Sequence, residues 1–284
     1  MPDIEGTITV EKEANSIRED NLNYVTNPLD LIAIEEAIRI KEIDGQSRVT
    51  LISLGAPSAE KTLREGLSLG ADDAFLLCEP AFDNGDSYTT ALALAKATSL
   101  IPYDLVLCGQ RSDDSQAGQV GAYIARTLGI PLVRGVVKID IDSESRKLRV
   151  QKKLEKGDRE VVECPLPALL TVEAGLNKPR YPMVREIIKA KSQKIENLNT
   201  ERLGLSPEKI GATASKIKIS QLTPPKPKMK GLVIPDSKLS PADRLKMITG
   251  GGMAQKKSDF LEGPPKQVAS QLVEFFKQLK IIAS

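Results

Sequence analysis

The chain of 284 residues contains no histidine. Without imidazole there is no Ser-His-Asp or Cys-His nucleophile system, no His-ligated metal and no imidazole proton shuttle. Lys, Asp, Glu and Tyr remain for acid–base work, but the balance moves from an enzyme towards a carrier or binding subunit with no catalytic residues of its own. Cysteine is scarce. Cys78, Cys108 and Cys164 are widely spaced and form neither a C-x-x-C pair nor a metal-ligand spacing. They read as reduced, mostly buried thiols of a cytoplasmic protein. No apolar run approaches the ~20 residues that span a bilayer, so no membrane insertion is expected. Neither sign of charge dominates: Lys plus Arg is 40, Asp plus Glu is 38, and the formal net charge is +2. That near balance argues against a general binder of nucleic acid or membrane surfaces. The start, Met1-Pro2-Asp3-Ile4-Glu5, is acidic and polar, unlike a secretory signal or an Arg-rich transit peptide.

What is present alternates. Asn27-Pro28-Leu29-Asp30 reads as a helix start, with Asn27 as N-cap, Pro28 in the first turn and Asp30 at its positive end. Leu31, Ile34 and Ile38 continue it at helical spacing, and Gly45 breaks it. Val49 to Leu54 is a strand, Ser58 caps a helix running from Ala59 to about Leu69, and Ala74 to Leu77 is a short buried strand. An Ala-rich helix from Ser87 to Ser99 and a strand from Asp104 to Leu107 follow. This β-α-β-α order predicts an α/β fold with a mostly parallel, doubly wound sheet. From Val133 to Val172 four strands with polar turns predict an antiparallel extension. Met183 to Lys194 reads as a helix, Pro241 to Ile248 as a short one, and Lys266 to Ile281 as an amphipathic terminal helix. Thr223 to Lys230 is a Pro/Lys stretch, and Thr249 to Gly252 a hinge without the Lys-Ser/Thr of a P-loop. The expected division is a nucleotide-binding α/β domain over 1–195 and a C-terminal arm over 196–284 that packs on a partner.

The segment after the strand at Cys108 carries the chemistry. Gly109, Gln110, Arg111, Ser112, Asp113, Asp114, Ser115, Gln116, Ala117, Gly118, Gln119 and Val120 form a small, polar loop entering a helix. Outside the carboxyl end of a parallel strand, such a loop offers backbone amides to a phosphate or ribose. Many βα loops of this kind bind nothing, and both readings stand at this point.

Four blocks, in order, resemble the beta (small) subunit of electron transfer flavoprotein. They are Asn27-Pro-Leu-Asp30 with Glu35-Glu-Ala-Ile-Arg39; Leu67-Ser-Leu-Gly-Ala-Asp72; Cys108-Gly-Gln-Arg with Gln119-Val-Gly121; and Leu166-Pro-Ala-Leu-Leu-Thr171 with Asn177-Lys-Pro-Arg-Tyr181 and Ile188-Lys-Ala-Lys191. The likeness covers about Pro2 to Lys194. It implies an adenine-nucleotide-binding, Rossmann-like domain in a heterodimer whose alpha subunit makes most contacts to a redox FAD. The beta subunit holds AMP, or a second FAD in electron-bifurcating members. The pocket residues correspond to Asn27, Pro28, Leu29, Asp30, Leu54 and Gly109 through Val120, with loop amides on the phosphate. A recognition loop for flavin dehydrogenases maps to Glu173 through Lys191, with Val184 as anchor beside Arg180, Tyr181, Arg185 and Lys189. A quinone reductase or another acceptor lies downstream. A stand-alone nucleotide sensor on the same fold is the alternative.

Two departures stand out. Arg111 and Gln116 replace a Gln and an Asp of the usual loop, which favours a more anionic ligand such as a diphosphate. The apolar strand that precedes Pro-Asp in the family has no counterpart before Pro2-Asp3. Such a strand is normally central, so a start roughly ten residues upstream, one strand plus its turn, is expected.

Overall fold

The computed structural model describes residues 1, 3, 10–11, 16–17, 23–223, 240–242 and 264–278. Met1–Pro224 is one compact unit and Pro225–Ser284 another. Beyond Pro241–Ala242, which are helical, the expected helix at 241–248 lies outside the described residues, as do the hinge at 249–252 and most of the Pro/Lys stretch.

The first unit opens with a two-residue hairpin, β1 (Val10–Glu11) and β2 (Ser16–Ile17). Helix α1 (Pro28–Asp44) follows, with Pro28 in its first turn and Gly45 left-handed at φ 72° as its cap. Strand β3 (Thr50–Leu54), helix α2 (Glu60–Leu69) and strand β4 (Asp73–Leu77) form a parallel unit. Ser58 does not cap α2; Pro57–Ala59 forms a single 3-10 turn ahead of it, with no side-chain cap. Helix α3 (Ser87–Ser99) is capped by Asp86, whose carboxylate accepts the amides of Tyr88 and Thr89. Strand β5 (Leu105–Gly109) and helix α4 (Val120–Leu128) bracket the polar loop. Then come β6 (Leu132–Asp142), β7 (Lys147–Lys153), β8 (Arg159–Pro165) and β9 (Ala168–Val172). Helix α5 (Val184–Ser192), strand β10 (Glu196–Leu198) and the single turns α6 (Thr200–Leu203) and α7 (Gly211–Ala214) complete the unit.

Apart from the β1–β2 hairpin, the described strands form two sheets rather than the single one expected. One is parallel, in the order β10-β4-β3; the other is mixed, in the order β5-β9-β6-β7-β8. The antiparallel extension is present in β6-β7-β8. Strand β9, expected within that extension, instead lies between β5 and β6 and runs parallel to both. Residues 168–172 are wholly buried, as a strand covered on both faces requires. The boundary expected at 195 falls inside the compact unit. Strand β10 pairs in parallel with β4, and Leu198, Leu203, Leu205 and Ile210 fill the cluster around Leu77 and Phe82.

Two helices span the seam between the sheets. In α3, Ala93 and Ala97 pack against Leu77 and Leu198 of the first sheet, while Ala91 and Ala95 meet Leu169 of the second. Alanine on both faces lets the helix sit close to both layers. Helix α1 does the same: Leu29, Ile32 and Ala33 pack with Val172, and Ala37 packs on the cluster of Val49, Leu63 and Leu67. Among the described residues β3 pairs only with β4 and β5 only with β9, so each presents one unpaired edge.

In the second unit, helix α8 (Pro265–Gln278) realises the expected amphipathic terminal helix over most of its length. Leu272, Val273 and Phe275 are exposed on it. No described helix is long and apolar enough to cross a membrane.

Candidate functional site

The first turn of α1 and the end of β5 are locked together. The Gly109 amide donates to Asp30 Oδ1 at 2.6 Å. Asn27 Nδ2 donates to Asp30 Oδ2 at 2.9 Å and to the Arg111 carbonyl at 3.0 Å, while Asn27 Oδ1 accepts the Asp113 amide at 3.3 Å. Asn27 therefore makes no side-chain cap on its own helix. Its side chain is turned outward to staple the loop. A Cβ on Gly109 would stand 2.9 Å from Asp30 Oδ1 and from Leu29 Cβ, so only glycine allows this approach. Burial raises the Asp30 carboxyl above its ordinary range, against the opposing hydrogen bonds from Gly109 and Asn27. The Cys108 thiol is pushed up to about 12, first by burial and then by the Asp30 charge. It packs, partly buried, against the cluster of Ala91, Ile124 and Leu169, and the raised pKa disfavours its thiolate.

The next residues are tied into the sheet. Gln110 donates its amide to the Val172 carbonyl at 2.9 Å. Gln110 Oε1 accepts the Gly135 amide at 3.1 Å and the Thr171 hydroxyl, filling the bulge between Val133 and Val136 of β6. Arg111 Nη1 faces Glu173 Oε2 at 3.7 Å. Ser112 and Ser115 join their hydroxyls at 3.1 Å, and the Gln116 amide returns to the Ser112 carbonyl at 3.1 Å. The Asp114 carboxyl sits below its ordinary value: burial opposes this, but the Ser112 hydroxyl and the Ser115 amide outweigh it.

The loop then turns twice, at Gln116 with φ 51° and Gly118 with φ 60°. Arg134, on β6, donates Nη2 to the Gly118 carbonyl at 3.2 Å. Among the described residues the amides of Gly118, Gln119, Val120 and Gly121 have no hydrogen-bond partner. They stand at the positive end of a helix of nine residues. Gln119 places no side-chain cap there. Gly121 seats α4 on the sheet, since a Cβ would meet Thr171 Cγ2 at 2.8 Å and Cys108 Sγ at 2.9 Å. Of the other candidates, Ala117 lies in the turn. Val120 packs with Ala91 and Ile124, and Leu54 with the Leu77 and Phe82 cluster. Pro28 and Leu29 serve the helix start, with Leu29 buried. No cluster of three or more Cys, Asp or Glu able to hold a metal occurs among the described residues.

The docking candidates form a second surface, reached from β9 through Glu173. Tyr181 is 96% exposed, Met183 74% and Val184 73%, with Ile188 also exposed. Lys189 Nζ lies 3.8 Å from Glu186 Oε2, and Arg185 is almost fully exposed, its Nε 3.7 Å from Glu186 Oε1. Arg180 is different: its guanidinium is bound between Glu35 and Glu42 of α1. Arg64 of α2 caps the far end of α5, donating Nη1 to the carbonyls of Ala190 at 2.6 Å and Lys191 at 3.0 Å. Arg64, Arg134, Glu35 and Glu42 escape sequence reading, because each looks like an ordinary polar residue on its own helix or strand. Only the tertiary partner gives it a task.

Comparison with known proteins supplies the family. The family described as "Electron transfer flavoprotein domain" matches residues 15–203. The electron transfer flavoprotein subunit beta of Thermoanaerobacterium thermosaccharolyticum is 38% identical over 225 residues, 79% of this chain and 85% of that protein. The caffeyl-CoA reductase-Etf complex subunit CarD of Acetobacterium woodii is 37% identical over 80% of this chain and 86% of its own. Protein FixA of Azotobacter vinelandii is 33% identical, covering 81% and 83%. With a match across most of the compact unit and identities of this size to beta subunits, the chain belongs to the electron transfer flavoprotein family, on its beta-subunit side.

Proposed function

We propose that this chain is the nucleotide-holding half of a heterodimeric electron carrier working in the cytoplasm. The partner is the flavin-bearing alpha subunit, and the two share a redox FAD, which supplies the one- and two-electron chemistry. This chain performs no bond chemistry itself. It holds an adenine nucleotide on a Rossmann-like α/β domain, docks flavin dehydrogenases through the Tyr181–Val184 segment with Arg185 and Lys189, and passes electrons to a quinone reductase or another acceptor. The C-terminal arm, with Leu272, Val273 and Phe275 exposed on its last helix, clasps the alpha subunit.

The observation that carries the reading is the row of unpartnered amides at Gly118–Gly121. Earlier in the loop the amides of Gly109, Gln110, Asp113, Ser115 and Gln116 have protein acceptors. Among the described residues, Gly118 to Gly121 place four consecutive free donors together at the helix entry, where an anion is favoured. Asn27 and Asp30 hold the loop in shape, and the adenylate phosphate meets the backbone. Co-expression with the alpha subunit, release of nucleotide and chromatography test this. One AMP or FAD per beta subunit supports it, and a folded heterodimer free of nucleotide at this site overturns it.

A specific feature favours FAD, as in electron-bifurcating members, over AMP. Arg134 Nη2 and Arg111 Cβ lie 3.6 and 3.7 Å from the position of a Cβ on Gly118, so one guanidinium borders the free amides beside the stem of a second, whose head faces Glu173. That suits a diphosphate better than a monophosphate. Two flavins per heterodimer support this second reading, and one flavin plus AMP refutes it. A colourless homomer would favour the nucleotide sensor.

A further inference from the structure

We propose that Arg180 is a positioning residue, forked between Glu35 and Glu42 of α1, that holds the docking segment in shape and contributes no positive charge to the docking itself. The inference rests on the docking role given above to Tyr181–Val184. Every nitrogen of the guanidinium is engaged. Arg180 Nε lies 2.9 Å from Glu35 Oε2 and Nη2 lies 3.0 Å from Glu35 Oε1. Nη1 and Nη2 reach the two Glu42 oxygens at 2.6 and 2.9 Å. The Arg180 backbone amide also donates to Glu35 Oε2, at 3.1 Å. The Glu35 side chain is only 5% exposed, so it is a fixed post. Three residues earlier, Asn177 Nδ2 donates to the Ile32 carbonyl at 3.0 Å and to Glu36 Oε2 at 2.8 Å. Residues 177–180 are thus pinned along α1 at two points, and Tyr181, Met183 and Val184 emerge immediately beyond. Two carboxylates on one guanidinium leave a local excess of negative charge, which an acidic partner surface would not seek. The attractive charge of that face falls to Arg185 and Lys189.

The test uses the complete heterodimer and a purified flavin dehydrogenase from the same source. Amide exchange is read in peptides covering 181–188, and electron uptake is followed against ionic strength. R180Q should raise exchange in 181–188 by about tenfold, the scale of one lost charge-assisted bond, while α3 stays protected. It should raise KM more than it lowers kcat, and the charge-balanced double variant R180Q/E42Q should keep the parent's ionic-strength slope. R180K should restore only part, because an ammonium cannot fork between two carboxylates. R185Q should do the reverse, flattening the slope with exchange unaltered. Unchanged exchange in R180Q, or a flattened slope in R180Q/E42Q, would overturn the proposal. Should R180Q not fold, E42Q removes only the solvent-facing arm of the fork and must still raise exchange in the same segment; no change there is equally decisive against it. If V184S leaves KM untouched, the docking role fails, and the exchange results still report on Arg180 separately.

Discussion

The Asp30 carboxylate accepts the amide hydrogen of Gly109 at 2.6 Å, joining the first turn of α1 to the end of β5. A helix start and a strand end 79 residues apart therefore share one buried bond, and the loop that follows inherits its path from it.

Glycine at 109 is the first consequence to test. G109A forces a Cβ into Asp30, Leu29 and Asn27, all at about 3 Å, in a region with no room to yield. Overpacking of this kind costs about 1–3 kcal/mol. Chemical denaturation should show that loss, and the purified heterodimer should carry less nucleotide. A variant as stable as the parent and fully loaded would mean the junction is looser than described.

Two carboxyls have opposite pH signatures. Burial raises Asp30, so the folded state holds its proton more tightly than the unfolded chain does. Its contribution to stability is complete below the ordinary value of 3.8 and is lost as pH rises through the folded value. Asp72 is lowered: burial opposes its charge, but Lys41 Nζ at 2.6 Å and the Val49 amide at 2.8 Å outweigh that. Its contribution is present above 3.8 and disappears as pH falls through its folded value. Melting curves from pH 2 to 7 should show D30N gaining on the parent as pH rises. D72N should lose ground to the parent over the range where the parent's Asp72 becomes charged. Parallel curves for all three would contradict both assignments.

The exposed face of α8 predicts a separable defect. L272E with F275E should weaken association with the alpha subunit in sedimentation experiments, with the melting of the 1–224 unit unchanged. Undiminished association would remove the arm from the interface.

The seam between the sheets predicts a gain. Strands β3 and β5 each present one unpaired edge among the described residues, and α1 and α3 pack across both sheets. A separate apolar peptide of about five residues, added in excess, should raise Tm by several degrees, because edge backbone groups acquire partners. It should also slow amide exchange in 50–54 and 105–109. If neither changes, the seam does not take a strand.

Much of the fold was legible residue by residue. Pro28 and Gly45 mark the ends of α1, the β-branched and apolar runs mark the strands, and the Ala-rich run from Ser87 predicts a tightly packed helix. Those signals are local, and local sterics and hydrogen bonding write them into the chain within a few positions. The polar loop after Cys108 was also visible, since its position after a strand and before a helix follows from order alone. The tasks of individual residues inside it were not. Asn27 has every mark of an N-cap, yet it staples a loop 84 positions away. Arg180 looks like a free docking charge, yet two carboxylates of α1 hold it.

The same division explains the strand errors. Ala168–Val172 announces itself as a buried strand, but nothing in its period tells that it inserts between β5 and β6. Glu196–Leu198 is too short and polar to stand out, and its pairing with β4 makes it a strand. The amino-acid order by itself determined which stretches fold as helix or strand, where glycine must turn the chain, and which family the protein joins. The tertiary structure alone decided which amides remain free for an anion and which charges are already neutralised. Those outcomes depend on partners brought close by the packing of α1 and α3 across two sheets, at separations that no local pattern records.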